Sequence, residues 1–401
     1  MGKRFDVTIL GGGIIGFQIG IHLLQANPSL KVSLVEKEGH IGQHASGRNS
    51  GVIHAGFYYA PESLKAKFCA QGNMALRQFC RKASIPILNC GKVVVARDAD
   101  ENNRLESLFQ RGIDNGVELE LLDASKLSTI EPFARTHERF IWSPQTAVSD
   151  PHLVLEESFR NFVQLGGVFF ANTTVTLRKS KGEVICDPPE VGAEYFVNAA
   201  GAHADRVAKS VDVGLDLEMI PFVGLYRTTA SNLLPISRLV YPVPHPIDPF
   251  LGVHLTLTTS GQVKIGPTAI PVLGREQYSL LSKWSLQDVK SSSRAMFSLA
   301  RGSSHDFSRM LSTEWPKFFR QEIIRQAGTL VPQASLISKW EKKSPGIRSQ
   351  LVHLSTGRLE QDYLVESDLN VTHVLNAVSP GWTSSIPFSR FVVEKHVLPR
   401  L

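Results

Sequence analysis

The chain has 401 residues, 42% of them hydrophobic and 20% charged, with a formal net charge of +6. That length exceeds one simple core and predicts two domains, and the balance is that of a folded globular protein. No dense Lys/Arg run interleaves with aromatics, which excludes nucleic-acid binding and leaves weak affinity for anionic substrates or an anionic membrane face.

The cysteines Cys69, Cys80, Cys90 and Cys186 are scattered without CxxC spacing, so neither a zinc site nor a disulfide framework is expected, and a reducing compartment fits. No apolar run reaches the ~18 residues read as a spanning helix. The apolar N-terminal stretch follows Asp6 and is broken by glycines, unlike a signal peptide. A cytoplasmic protein is expected, with peripheral contact at the inner face of a membrane as the further option.

Val7-Thr8-Ile9-Leu10 reads as a buried strand, followed at once by Gly11-x-Gly13-x-x-Gly16. Helical spacing takes over with Ile15, Ile19, Leu23 and Leu24, then Val32–Val35 is a second buried strand ending at Glu36. Gly11 permits the tight turn, Gly13 lets a pyrophosphate approach the backbone, and Gly16 lets the helix pack on the strand. The helix N-terminus offers free N–H groups to phosphate, and Glu36 accepts from a ribose hydroxyl pair. A strand–GxGxxG–helix–strand–acid series is the context that a dinucleotide site requires.

The segment Gly42–Tyr59 is polar, glycine-rich and irregular, and is expected beside the cofactor. Lys65–Lys82 and Glu101–Gly116 read as helices, Lys92–Val95 and Val117–Leu122 as strands, and Asp150-Pro151 opens a helix to Leu165. Val168–Phe170, Thr173–Leu177 and Tyr195–Asn198 read as strands, the last running into Ala199-Ala200-Gly201, where tiny residues admit a ligand. Residues 218–278 are strand-rich, with Tyr226–Thr229, Leu239–Tyr241, Gly252–Thr258 and Val263–Ile265. Alternation of Val253, Leu255 and Leu257 puts His254, Thr256 and Thr258 on the opposite face, towards a ligand cavity. Residues 283–331 read as helical. Gly346–Gln350, Tyr363–Glu366 and His373–Ser385 are expected to return to the cofactor sheet, before a closing helix over about 387–396 capped by Ser385.

The segments GGGIIG, GRNSGVIHAGFYY, YPVPHPIDPFLGVHLT, KIGPTA, GIRSQ and NAVSPGWTSS together resemble the FAD-dependent oxidoreductases of the D-amino-acid-oxidase type. Within them the chain is most similar to the L-2-hydroxyglutarate dehydrogenase/oxidase family. The resemblance implies an α/β (α+β) fold with a Rossmann-like FAD-binding domain and a discontinuous antiparallel-sheet substrate domain. Residues 1–85, 145–215 and 336–401 form the first and residues 86–144 and 216–335 the second. It implies FAD contacts at Gly11, Gly13, Gly16, Glu36, Lys37, Ser46, Arg48, Asn49, Ser50, Val175, Ala200, Gly201, Gly381, Trp382, Thr383 and Ser384. The chemistry implied is hydride transfer from a small 2-hydroxy acid to flavin N5, L-2-hydroxyglutarate foremost, with oxygen or a quinone as the final electron acceptor. Arg348, in the Gly-Ile-Arg segment, is implied to clamp the substrate α-carboxylate. The chain departs from the family at Gly381-Trp382, where small residues are usual, and at Gly224-Leu225-Tyr226-Arg227, where a Gly-Glu-Tyr-Tyr segment is usual.

Oxidising a secondary alcohol also requires a base near neutral pKa, and His254 and His54 are the candidates. Tyr58 and Tyr59 are placed to close the pocket, and Arg227 and Arg48 are candidate partners of a second carboxylate. The rival functions are an amino-acid or secondary-amine oxidase on the same fold, and a flavin-binding protein without turnover.

Overall fold

The computed structural model describes residues 4–245, 251–279, 282–302 and 304–401. The middle of the YPVPHPIDPFLGVHLT segment, residues 246–250, lies outside the described residues.

Phe5–Leu10 pairs in parallel with Val32–Val35 on one side and Ala193–Asn198 on the other. The completed sheet has six strands, in the order Leu364–Asp368, Val371–Asn376, Ala193–Asn198, Phe5–Leu10, Val32–Val35, Val168–Phe170. Only the edge strand Leu364–Asp368 is antiparallel. Central strands of a parallel sheet are covered on both faces, which is why Val7, Ile9, Val32, Leu34 and Val197 are all fully buried. The helix Ile14–Ala26 packs close enough to Pro151–Gln164 that a Cβ at Gly20 would lie 2.6 Å from the Phe162 ring. Asp150 caps the latter helix by accepting from the His152 N–H at 2.8 Å.

A second sheet has ten strands. Its main path runs Arg358–Leu359, Glu341–His353, Leu217–Thr228, Val263–Gly266, His254–Leu257, Leu239–Pro242, Lys92–Val95, Arg139–Ser143, Glu120–Asp123. Every pair is antiparallel except Leu239–Pro242 beside Lys92–Val95, so the expected antiparallel sheet is a mixed one. The chain between these two strands includes two strands of the dinucleotide sheet, Val168–Phe170 and Ala193–Asn198, and so long a crossover permits parallel pairing where a hairpin would not.

Three further expectations are corrected. Gly346–Gln350 belongs to the ten-stranded sheet, paired with Ile220–Gly224, and the return to the six-stranded sheet begins only at Leu364. The strand expected over Thr173–Leu177 starts at Thr176 and forms a two-stranded hairpin with Glu183–Asp187. The closing helix starts at Ser385 with Ser384 at the N-cap position, and ends as a π-turn over Val393–Val397.

Candidate active site

A cavity of about 830 Å³ lies where the two sheets meet. Its dinucleotide end is built by the first βαβ turn. Gly11 has φ +114°, and a Cβ there would lie 2.4 Å from the Ala199 carbonyl oxygen. Only glycine satisfies both constraints. Gly13 faces the cavity, and its Cβ would meet the Ser46 hydroxyl at 3.0 Å. That hydroxyl accepts from the Ile14 N–H at 3.0 Å, so the irregular segment is pinned to the helix N-terminus. The Glu36 carboxylate accepts from the Gly12 N–H at 2.9 Å and the Glu38 N–H at 3.0 Å, which locks the acid into the wall. At the mouth, Glu276 joins Lys37 at 2.6 Å and His203 at 3.0 Å.

The Ser46–Tyr59 segment and the Gly381–Ser385 loop hold each other. The His54 N–H donates to the Thr383 hydroxyl at 3.2 Å, which donates to the Val52 carbonyl at 3.1 Å. Asn73 donates to the His54 carbonyl at 3.0 Å from the helix Leu64–Lys82. Gly72 on that helix allows the approach, because a Cβ there would lie 2.2 Å from the Thr383 carbonyl oxygen.

The other end of the cavity is one face of the ten-stranded sheet. Register puts Arg348 opposite Phe222, carries the same face through Tyr226 to His254, and sets Val240 opposite Leu255, so that Tyr241 lies beside His254. The His254 and Tyr241 rings stack at 3.8 Å. His254 Nδ1 lies 2.8 Å from the Gly252 carbonyl, which can only accept, so Nδ1 carries the proton and Nε2 the lone pair. Burial pushes the His254 pKa down to about 3 against the pull of that hydrogen bond, and the charges of Lys92 and Arg348 push it the same way. His54 is held well below the ordinary histidine value by burial, then by Lys92, His254 and Arg348. Both histidines are therefore neutral at physiological pH.

Of the residues expected to contact a cofactor, Gly11, Gly13, Glu36, Lys37, Ser46, Arg48, Asn49, Ser50, Val175, Ala200, Gly201, Gly381, Trp382 and Thr383 line this cavity, as do His54, His254 and Arg348. Gly16 does not line it. A Cβ there would lie 2.1 Å from the Gly11 carbonyl oxygen, so this glycine seats the helix on the turn. Ser384 and Ser385 are buried behind the wall. Arg227 is not in the wall either, because strand alternation turns it to the face opposite Tyr226, paired with Ile265. Arg48 lines the cavity, but its Nε donates to the Gln43 carbonyl at 2.5 Å and its guanidinium lies 4.1 Å over the Tyr278 ring. Tyr58 and Tyr59 are not wall residues, and Tyr58 stacks on Phe57 at 4.3 Å.

Sequence reasoning missed Tyr241, which lines the cavity, and Lys92, which lies on the same sheet face but does not line it. Lys92 is fully buried, and its ammonium has no hydrogen-bond partner among the described residues. The signal was a lysine opening the apolar run Lys92-Val93-Val94-Val95, in step with the inward-facing Val94.

The glycine turn, the helix N-terminus and the acid in the wall are what a flavin dinucleotide needs, and three observations fit it. A Cβ at Gly201 would meet nothing within 4 Å, the Gly13 backbone is open to the cavity, and the indole N–H of Trp382 is a buried wall donor without a partner among the described residues. Residues 6–395 match the family of FAD dependent oxidoreductases, the DAO family, and the chain belongs to it. It is 35% identical over 97% of its length to an L-2-hydroxyglutarate dehydrogenase of Indibacter alkaliphilus, covering 98% of that protein. It is 33% identical over 98% of its length to the L-2-hydroxyglutarate dehydrogenase of Escherichia coli strain K12, covering 93% of it. Its fold superposes on the FAD-bound L-alpha-glycerophosphate oxidase of Mycoplasma pneumoniae with a TM-score of 0.76, at 23% identity, covering 97% of this chain and 94% of that one. The protein is an FAD-dependent oxidoreductase acting on a CH–OH donor. Among the described residues, no helix is long and apolar enough to cross a membrane.

Proposed function

We propose that this protein oxidises L-2-hydroxyglutarate to 2-oxoglutarate. The observation that carries the reading is the pairing of a neutral His254, its Nε2 free of partners among the described residues, with the Arg348 guanidinium on one cavity wall. The near-full-length likeness to L-2-hydroxyglutarate dehydrogenases supports the choice of substrate.

Arg348 binds the α-carboxylate through its planar fork and so fixes which face of the carbinol carbon is presented. His254 takes the hydroxyl proton at Nε2, while the Gly252 carbonyl and the Tyr241 ring fix the plane of the imidazole. The incoming carboxylate offsets the positive field of Arg348 and Lys92, which makes the imidazole a stronger base when substrate is bound than before. FAD would supply the acceptor for the hydride that leaves the carbinol carbon. Gly11, Gly13, Ser46, Glu36 and Trp382 would hold it, with Gly11 and Gly13 leaving the backbone open beside the helix N-terminus. The division of labour follows the sheets: the six-stranded one carries the cofactor, the ten-stranded one the substrate.

The electron acceptor we infer is oxygen or a quinone. A peripheral membrane contact has support in the exposed Trp284, Leu286, Phe297, Trp315 and Phe319, which share the stretch from 283 to 319 with the exposed Lys283 and Arg294. Anaerobic bleaching of the flavin against a panel of 2-hydroxy and 2-amino acids tests the reaction. Fast bleaching by L-2-hydroxyglutarate alone is expected. Bleaching by amino acids instead, or by nothing, sinks the reading.

A further inference from the structure

Lys92 sits on the same sheet face as Arg348 and His254. Its strand pairs with Leu239–Pro242, placing Lys92 level with Leu239 and Val94 level with Tyr241. The ammonium lies 4.3 Å from the Phe57 ring centroid, 4.4 Å from that of Tyr58 and 4.9 Å from that of Tyr241. Ring faces stabilise a cation only in part, and they accept none of its three N–H donors in the way an oxygen would. The hydroxyl of Tyr58, whose ring faces the ammonium, is also buried without a partner among the described residues. An enclosed ammonium and an enclosed hydroxyl, both donors and neither with an acceptor, are what a protein presents to an anion. Burial has pushed the Lys92 pKa down to about 7, the cost of holding that charge without a counter-ion. The alternatives on the page are spoken for: Arg48 is held by Tyr278 and Gln43, Arg227 faces away, and the Lys65 side chain lies within the field of Asp362 and Glu360.

We propose that Lys92 and Tyr58 form the subsite for the substrate's far carboxylate and so select a dicarboxylic 2-hydroxy acid. The assignment rests on the 2-hydroxyglutarate reading above. In the sheet, His254 lies between the strands of Arg348 and Lys92, as the hydroxyl-bearing carbon lies between the two carboxylates of that substrate. Neither Lys92 nor Tyr58 lines the open cavity, so the carboxylate reaches the ammonium by displacing the Tyr58 ring.

The test compares FAD-loaded wild type, Lys92→Met and Tyr58→Phe with L-2-hydroxyglutarate and with 2-hydroxypentanoate, which has the same chain length but no far carboxylate. Lys92→Met should lower the second-order rate of flavin reduction by the diacid on the order of 10²-fold more than that by the monoacid, the worth of a charged hydrogen-bonded contact, because any change in the basicity of His254 is common to both acids. Tyr58→Phe should do the same on the order of tenfold. Glutarate, followed by its perturbation of the flavin absorbance, should bind wild type and not Lys92→Met. The melting temperature of ligand-free Lys92→Met should rise, since an uncompensated charge is removed from the interior. An equal fall for both acids, or unchanged discrimination, overturns the assignment, as does glutarate binding that survives in Lys92→Met. Should Lys92→Met fail to fold, Tyr58→Phe decides by the same criterion. If wild type is reduced by no 2-hydroxy acid, the proposed reaction fails, and the glutarate titration alone judges the subsite.

Discussion

His254 shows how a single residue is tuned by what surrounds it. An ordinary histidine titrates near 6.5, but desolvation and two neighbouring cations keep this one neutral, and a backbone carbonyl decides which nitrogen holds the lone pair. His254→Asn keeps a donor for the Gly252 carbonyl and loses the acceptor. Flavin reduction in that variant should slow by ~10²–10⁴-fold with FAD still bound, the usual worth of general-base help. Stopped-flow reduction measures it, and His54→Asn is the comparison. If only His54→Asn is slow, His54 is the base. The pH profile of the second-order rate constant supplies an independent check. Because both histidines stay unprotonated well below their ordinary value, no acidic limb should stand near pH 6.5 in the ligand-free enzyme.

At the scale of elements, the turn from Leu10 into the helix Ile14–Ala26 couples local backbone to the rest of the cavity. A side chain at Gly13 would press on the Ser46 hydroxyl, which anchors the Gly42–Tyr59 segment by accepting from the Ile14 N–H. Gly13→Val should therefore give colourless protein, lacking the flavin absorbance of wild type, through both the lost space and the lost anchor. A yellow Gly13→Val would place the pyrophosphate elsewhere. This turn was legible in the sequence because its constraints are local: a positive φ, a close approach and a helix N-terminus fall within a few residues. The His254 face was legible for a similar reason, since alternation along one strand separates it from Val253 and Leu255. The place of Lys92 on that face was not. Lys92 reaches His254 only through the strand order of the second sheet, and that order includes a parallel pair whose strands have two strands of the dinucleotide sheet between them in the sequence. Arg227 was misplaced because its strand begins nine residues before Tyr226, at Leu217, and the partner strand bulges opposite Gly224–Tyr226, so the face each side chain takes depends on that partner.

For the molecule as a whole, buried titratable groups set the pH range of stability, and the sign can be worked through group by group. Lys92 has an ordinary pKa of 10.5 and a folded one of about 7, so below pH 10.5 the unfolded chain binds a proton that the fold resists. Its destabilising effect is absent above 10.5, grows as pH falls and is complete below about 7. His254 and His373, with folded values of about 3 and about 4 against an ordinary 6.5, act in the same direction once pH drops below 6.5. Asp205, paired with Arg275, and Glu38, paired with Lys37, have lowered values, so the stability they contribute is lost at still lower pH. The buried thiols act oppositely. Cys69 is raised to about 12 and Cys90 to about 11 from an ordinary 9.0, so above pH 9 the unfolded chain sheds protons that the fold retains, and stability falls. The two trends meet near pH 9. Calorimetric melting of the FAD-loaded protein from pH 5 to 10 should show its highest transition temperature there, with a steady decline on the acid side. In Lys92→Met the rise should flatten between pH 7 and pH 8 and shrink above it, where Lys65 with a folded value of about 8 still acts, while the loss below pH 6.5 remains. A maximum at acid pH, or an unchanged slope above pH 7 in Lys92→Met, would show that the ammonium is not held in the fold as an uncompensated charge.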